Sequence, residues 1–95
     1  MALIEPSKLD TLLAELDVEW ALVAGSKLER VYKFADFKQA LNYVNKLGDL
    51  AEEKNHHPDI VLEYGKVTVV ITTHSEGGLT DKDFEFAKAI EAIKT

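Results

Sequence analysis

The chain reads as an α+β fold, a four-stranded antiparallel sheet with three helices packed on one face, in the order α-β-β-α-β-β-α. Three observations predict it. Apolar residues recur with helical period in three places, each behind an N-terminal capping signature. Two pairs of β-rich segments are each divided by a glycine-containing turn, the mark of hairpins. No strand needs a parallel crossover of its own, so the helices are free to collect on one side of the sheet.

Taken in order, Ser7 with Asp10 three residues later reads as a capping box. Leu9, Leu12, Leu13 and Leu16 then share one face, which predicts a helix over 7–16. Val18, Trp20 and Leu22 alternate along VEWALVA, predicting a strand over 18–24, and Gly25-Ser26 offers turn chemistry before a second strand over 28–34. Asp36 and Gln39 form the next capping signature. Phe37, Leu41, Val44, Leu47 and Ala51 supply the stripe of a long helix ending near 53. Pro58 disfavours helix at His57, because its ring crowds the preceding backbone. DIVLEY, 59–64, and VTVVITTH, 67–74, flank Gly65-Lys66 as a second hairpin. Gly77-Gly78 breaks the strand, Thr80 and Asp83 cap a last helix, and Phe84, Ala87, Ile90 and Ile93 face its core.

Composition narrows the function classes. Apolar residues are 46% and charged residues 29% of 95, a globular mixture expected to form a single domain over 1–95. A core of this size leaves room for subunit association to bury more surface. Lys and Arg number 11 against 17 Asp and Glu, and a net charge of -6 repels a phosphate backbone, so no direct nucleic-acid partner is expected. With no cysteine, disulfides and thiolate ligands are excluded, and a reducing compartment, the cytoplasm, is the expected location. MALIEPSK is too short an apolar run for a signal-peptide core, and nothing approaches a membrane span.

All three histidines fall at junctions between elements: His56 and His57 where the long helix gives way to strand, His74 where the last strand ends. Imidazole titrates near neutral pH, so the trio is suited to moving protons. A metal site built on these histidines with Glu52, Asp59 or Asp83 is disfavoured, since adjacent side chains such as His56 and His57 point in different directions. Nucleophilic catalysis lacks a candidate, because Ser75 sits in no nucleophile elbow and no glycine-rich phosphate loop precedes a helix. Pro58 reads both as a helix stop and as a clamp on the His57 backbone. Asp83 reads both as a helix cap and as a partner that orients a histidine. Trp20, Tyr64 and the phenylalanines read as core.

The residues also carry a family likeness. EEKNHHP, followed by Tyr64 after five residues, His74 after nine more and Asp83 after eight more, resembles the signature of the pterin-4a-carbinolamine dehydratases. Trp20, the run from Tyr32 to Phe37, and THSEGGLTDKD extend the resemblance over most of the chain. It departs at Asn55 and Glu76, where some members carry Asp and Cys.

The resemblance implies an α+β lyase that removes water from 4a-hydroxytetrahydropterin, giving quinonoid dihydropterin and recycling the cofactor of aromatic amino acid hydroxylases. It implies catalysis by His56, His57 and His74, with His56 and His74 transferring protons and His57 holding the pterin. It further implies pterin contacts at Glu52, His57, Pro58, Thr73, Ser75, Glu76 and Asp83, no metal, no added cofactor, and a homodimer or homotetramer. The competing reading is a non-catalytic interaction module on the same fold, an assembly chaperone or a transcription-factor dimerisation cofactor. The three histidines favour the enzyme, because convergent titratable groups mark chemistry.

Overall fold

The computed structural model describes residues 3–93 and contains α1 (Pro6–Ala14), β1 (Ala21–Val23), β2 (Lys27–Lys33), α2 (Phe37–Lys54), β3 (Asp59–Glu63), β4 (Lys66–Ile71) and α3 (Asp81–Glu91), with one 3₁₀ turn at His74–Glu76. The strands form one antiparallel sheet in the order β1-β2-β4-β3, and the element order is the predicted one. Register assigns the faces. Arg30 pairs with Val69 and Val69 with Ile60, while Tyr32 pairs with Val67 and Val67 with Leu62, so these residues and Leu28 share the inner face. Their neighbours in sequence, Val31, Val61 and Glu63 among them, face outward and are exposed. The helices cover the inner face, where Leu28, Leu47, Val67, Val69 and Ile71 have no exposed surface. Burying each contributes about 1.5–3 kcal/mol. Among the described residues no helix is long and apolar enough to cross a membrane.

Several boundaries differ from expectation, each for a local reason. The Ser7–Asp10 box does not form: α1 begins at Pro6 with Glu5 as an N-cap that makes no side-chain bond. Proline at the first helical position has its φ already set and lacks only an N–H that would have gone unpaired. β1 is shorter than predicted, and Val18 is 94% exposed rather than aligned with Trp20. Asp17 diverts the chain into a turn, its side chain accepting from Glu19 N at 3.0 Å and its carbonyl from Trp20 N at 3.1 Å. The first hairpin turns through Ala24 and Gly25, both at positive φ, with Ser26 N bonded to Val23 O, rather than through Gly25-Ser26. The second turns at Tyr64-Gly65, because Glu63 pairs with Lys66. Gly65 is required there, since a Cβ would lie 2.9 Å from the Phe34 carbonyl.

The buried stripe of α2 is rotated from its predicted position. Ala40, Tyr43, Leu47 and Ala51 are buried, whereas Phe37 and Leu41 are exposed. Tyr43 takes the inner position because its ring meets Tyr32 (centroids 4.7 Å) and Phe34 (5.3 Å) above the sheet. Asp36 caps the helix, accepting from Gln39 N at 2.8 Å. β4 ends at Ile71, three residues short of its predicted end, so His74 opens the 3₁₀ turn instead of closing the strand. Ile93 lies beyond the end of α3 yet packs against the core.

Arg30 is the one charged residue among those inner-face partners. Its guanidinium lies over the rings of Tyr32 (4.3 Å) and Trp20 (6.0 Å), and Nη1 is 3.9 Å from Glu91. Burial pushes the Tyr43 hydroxyl strongly upward in pKa, with its contact to Tyr32 adding to the rise, and burial also pushes the Tyr32 hydroxyl upward. A folded-state pKa held above the unfolded value keeps its stability below pH 10 and loses it as pH rises further, since only the unfolded tyrosine releases its proton. Stability should therefore fall above pH 10 by about 1.4 kcal/mol per pH unit for Tyr43. Urea unfolding at pH 9 and pH 11 measures the slope, and Tyr43→Phe should flatten it with little loss at pH 7.

Candidate active site

The site begins where α2 stops. Asn55 is in the left-handed conformation (φ 51), its N–H reaching the carbonyls of Ala51 and Glu52, and His56 N bonds Ala51 O at 3.1 Å. This closure satisfies the last carbonyls of the helix, and Asn tolerates the conformation better than most residues. Pro58 then directs the chain into β3. The two histidines leave this corner differently: His56 is buried and His57 exposed.

A second corner faces the first. After Ile71 the chain is pinned by the Thr72 hydroxyl, which donates to Ser26 O at 2.8 Å. Thr73 N bonds Gly78 O at 3.0 Å, closing the small loop that carries His74, Ser75 and Glu76, and Gly77 (φ 73) makes its reversal. Thr80 caps α3 immediately afterwards.

Asp83 joins the two corners. Its side chain has no exposed surface, and its Oδ1 lies 2.6 Å from His56 Nε2. Its Oδ2 accepts from the Thr73 hydroxyl at 2.7 Å and from Thr80 N at 2.8 Å, and the two threonine hydroxyls are 2.9 Å apart. One carboxylate thus caps a helix and holds a histidine at once. Phe86, one turn along α3, packs nearly perpendicular to the His56 imidazole, with ring centroids 5.4 Å apart. His56 lines a cavity of about 120 Å³ with Lys54, Lys82, Glu85 and Phe86.

Of the residues predicted from sequence, His56, Thr73 and Asp83 are gathered into this buried network. His57 and Glu52 form a separate pair on the surface, Nε2 to Oε2, with the two side chains 58% and 78% exposed. His74, Ser75 and Glu76 are exposed on their turn and Pro58 is half-buried. The three histidines therefore do not line one enclosed pocket: His56 sits below the surface and His57 and His74 on it. Thr80, Phe86 and the lysines of the His56 cavity were not anticipated as site residues. The Thr80–Asp83 spacing and the helical step from Asp83 to Phe86 were the available signals. Among the described residues, no three His, Cys, Asp or Glu side chains are grouped to hold a metal ion.

Removing the Asp83 carboxylate would strand three buried groups, the His56 ring nitrogen, the Thr73 hydroxyl and Thr80 N–H. Asp83→Ala should lower stability by about 2–4 kcal/mol. Glu52→Gln, which loosens only an exposed pair, should stay within about 1 kcal/mol of the parent chain. Chemical unfolding of both variants checks the contrast.

Comparison with known proteins adds a family. Residues 2–93 match the model of the pterin 4 alpha carbinolamine dehydratase family. A protein of Acidobacterium capsulatum, provisionally named pterin-4-alpha-carbinolamine dehydratase, is 42% identical over 93 residues, covering 98% of this chain and 99% of its own. One of Trichormus variabilis with the same name is 53% identical over 74 residues, 78% of each chain. Among solved structures, a transcriptional coactivator/pterin dehydratase from Brucella melitensis superposes with a TM-score of 0.86 at 33% identity, over 95% of this chain and 96% of that one. A pterin dehydratase-like protein described as a RuBisCO assembly factor in the alpha-carboxysome shares the fold at 22% identity, with a TM-score of 0.60 over 70% of this chain and 76% of its own.

Proposed function

The chain belongs to the pterin 4 alpha carbinolamine dehydratase family, and from that premise we propose that it removes water from 4a-hydroxytetrahydropterin, its histidines carrying the protons. The reaction gives quinonoid dihydropterin and so returns tetrahydropterin cofactor to use. Losing water from a carbinolamine needs a proton delivered to the departing C4a hydroxyl and a proton taken from a ring nitrogen. An imidazolium performs the first step and a neutral imidazole the second. The observation that carries this reading is the partnering of the adjacent histidines, His56 to a buried carboxylate and His57 to an exposed one. Two neighbouring imidazoles held in unlike surroundings are suited to unlike tasks. His56 and His74 act in proton transfer, and His57, paired with Glu52, holds the pterin. Pro58, Ser75 and Glu76 contribute to the same binding face. The protein works in the cytoplasm, in keeping with its lack of cysteine.

Stopped-flow decay of 4a-hydroxytetrahydropterin with and without the protein tests the reading. Decay should be faster with it. His56→Ala and His74→Ala should each lower kcat, by up to 10²- to 10⁴-fold where one imidazole cannot replace the other, and His57→Ala should chiefly raise KM. If each histidine serves one stereoisomer, the single variants will be mild on mixed substrate and the double variant inactive. Near-native rates in all three of His56→Ala, His74→Ala and the double variant would rule out the histidine mechanism, and decay no faster with the parent chain than without it would leave the interaction-module reading in place of the enzyme.

The functional unit is a homodimer or homotetramer. Val23, Val31 and Val61 on the outer sheet face and Phe37 and Leu41 on α2 are exposed apolar residues that association would cover. Light scattering at micromolar concentration should give a multiple of the chain mass, and a monomer mass would count against it.

A further inference from the structure

The hydrogens of the Asp83 network can be counted. An ionised carboxylate only accepts, and a hydroxyl carries a single hydrogen. The Thr73 hydroxyl donates to Asp83 Oδ2 at 2.7 Å, so at the 2.9 Å contact with Thr80 it can only accept. The Thr80 hydroxyl is therefore the donor there. Thr80 N–H donates to the same Oδ2 at 2.8 Å. With Oδ2 engaged twice, Oδ1 faces His56 Nε2 at 2.6 Å, and that nitrogen must carry the hydrogen. Every bond in the network then runs one way: Thr80 to Thr73, Thr73 to Asp83, and His56 to Asp83 from the other side.

We propose that Thr73 is a positioning residue for His56: its hydroxyl locks the rotation of the Asp83 carboxylate, which holds neutral His56 as the Nε2–H tautomer and leaves Nδ1 as the atom that exchanges protons with substrate. The inference deepens the reading of His56 as a proton-transfer residue and rests on it for its catalytic consequence. It also changes the expected part of Thr73. The side chain is buried and its hydrogen is committed to Asp83, so its hydroxyl acts through the carboxylate rather than as a donor to pterin. Among the described residues no hydrogen bond engages His56 Nδ1, and the residue lines the cavity it shares with Lys54, Lys82, Glu85 and Phe86. A wrong tautomer offers a hydrogen where a lone pair is needed, and displaced supporting groups of this kind cost enzymes orders of magnitude in rate.

The test is ¹⁵N NMR of histidine-labelled protein, with His57→Gln and His74→Gln variants assigning the ring signals of His56. In the parent chain at a pH where His56 is neutral, Nε2 should give the protonated signature and Nδ1 the bare one. The opposite assignment overturns the proposal without any change at Thr73. Thr73→Val should turn the single signature into a tautomer mixture and lower kcat about tenfold with little change in KM. Thr73→Ser, which keeps the hydroxyl, should restore both. If Thr73→Val retains the parent signature, or Thr73→Ser fails to recover it, Thr73 does not position His56. A tautomer mixture with undiminished turnover would uphold the positioning and remove His56 from the dehydration step. Lower turnover with an unchanged signature would overturn the positioning and give the Thr73 hydroxyl a part in the reaction that does not pass through His56.

Discussion

A carboxylate with no exposed surface has to find its hydrogen-bond donors inside the protein, and Asp83 finds them on three separate segments. His56 lies 27 residues away, Thr73 10 and Thr80 three. Stranding an ionised group in a low-dielectric interior costs several kcal/mol, so the fold holds these segments together or not at all. The end of α2, the loop after β4 and the start of α3 are thereby registered to one another. Whatever chemistry His56 performs is performed from a position set by that carboxylate.

The rest of the architecture supplies rigid ends for those segments. α2 packs Ala40, Tyr43, Leu47 and Ala51 onto the sheet and closes at Asn55 in the left-handed conformation. That closure decides which of two adjacent histidines turns inward. β4 lies at the centre of the sheet between β2 and β3, so the loop that follows it starts from the most firmly paired strand. The Thr72 hydroxyl ties the same loop to the first hairpin at Ser26 O. Each corner of the site is thus an element terminus whose backbone groups are satisfied locally, a common way to hold polar side chains on a scaffold.

His56 and His57 show how a step of one residue can separate two environments. Both make an imidazole–carboxylate contact, yet one is buried against α3 and the other lies in solvent with Glu52. A surface pair of this type contributes little stability, and removing the buried carboxylate strands its partners. Family membership places the chain among proteins named for acting on pterin carbinolamines. The uneven pair sets two neighbouring histidines in distinct surroundings, and a third stands on the exposed turn at His74.

The element order, the two hairpins, the antiparallel sheet and the histidine positions were legible in the chain itself, because hydrophobic period, turn residues and caps are local properties. So was the double reading of Asp83, whose spacing from Thr80 is a capping pattern. Element ends were less legible. VEWALVA looks like a strand until Glu91 of α3 takes the Asp17 N–H at 2.6 Å, and VTVVITTH looks like a longer one until Thr73 bonds across its loop to Gly78. The inward face of α2 could not be assigned from period alone, because Tyr43 wins its place through contacts with Tyr32 and Phe34 on a different element. Which histidine Asp83 holds, and that Thr73 joins them through the same carboxylate, was not legible for the same reason: no local pattern links residues whose contact exists only once the sheet has brought three element ends to one corner.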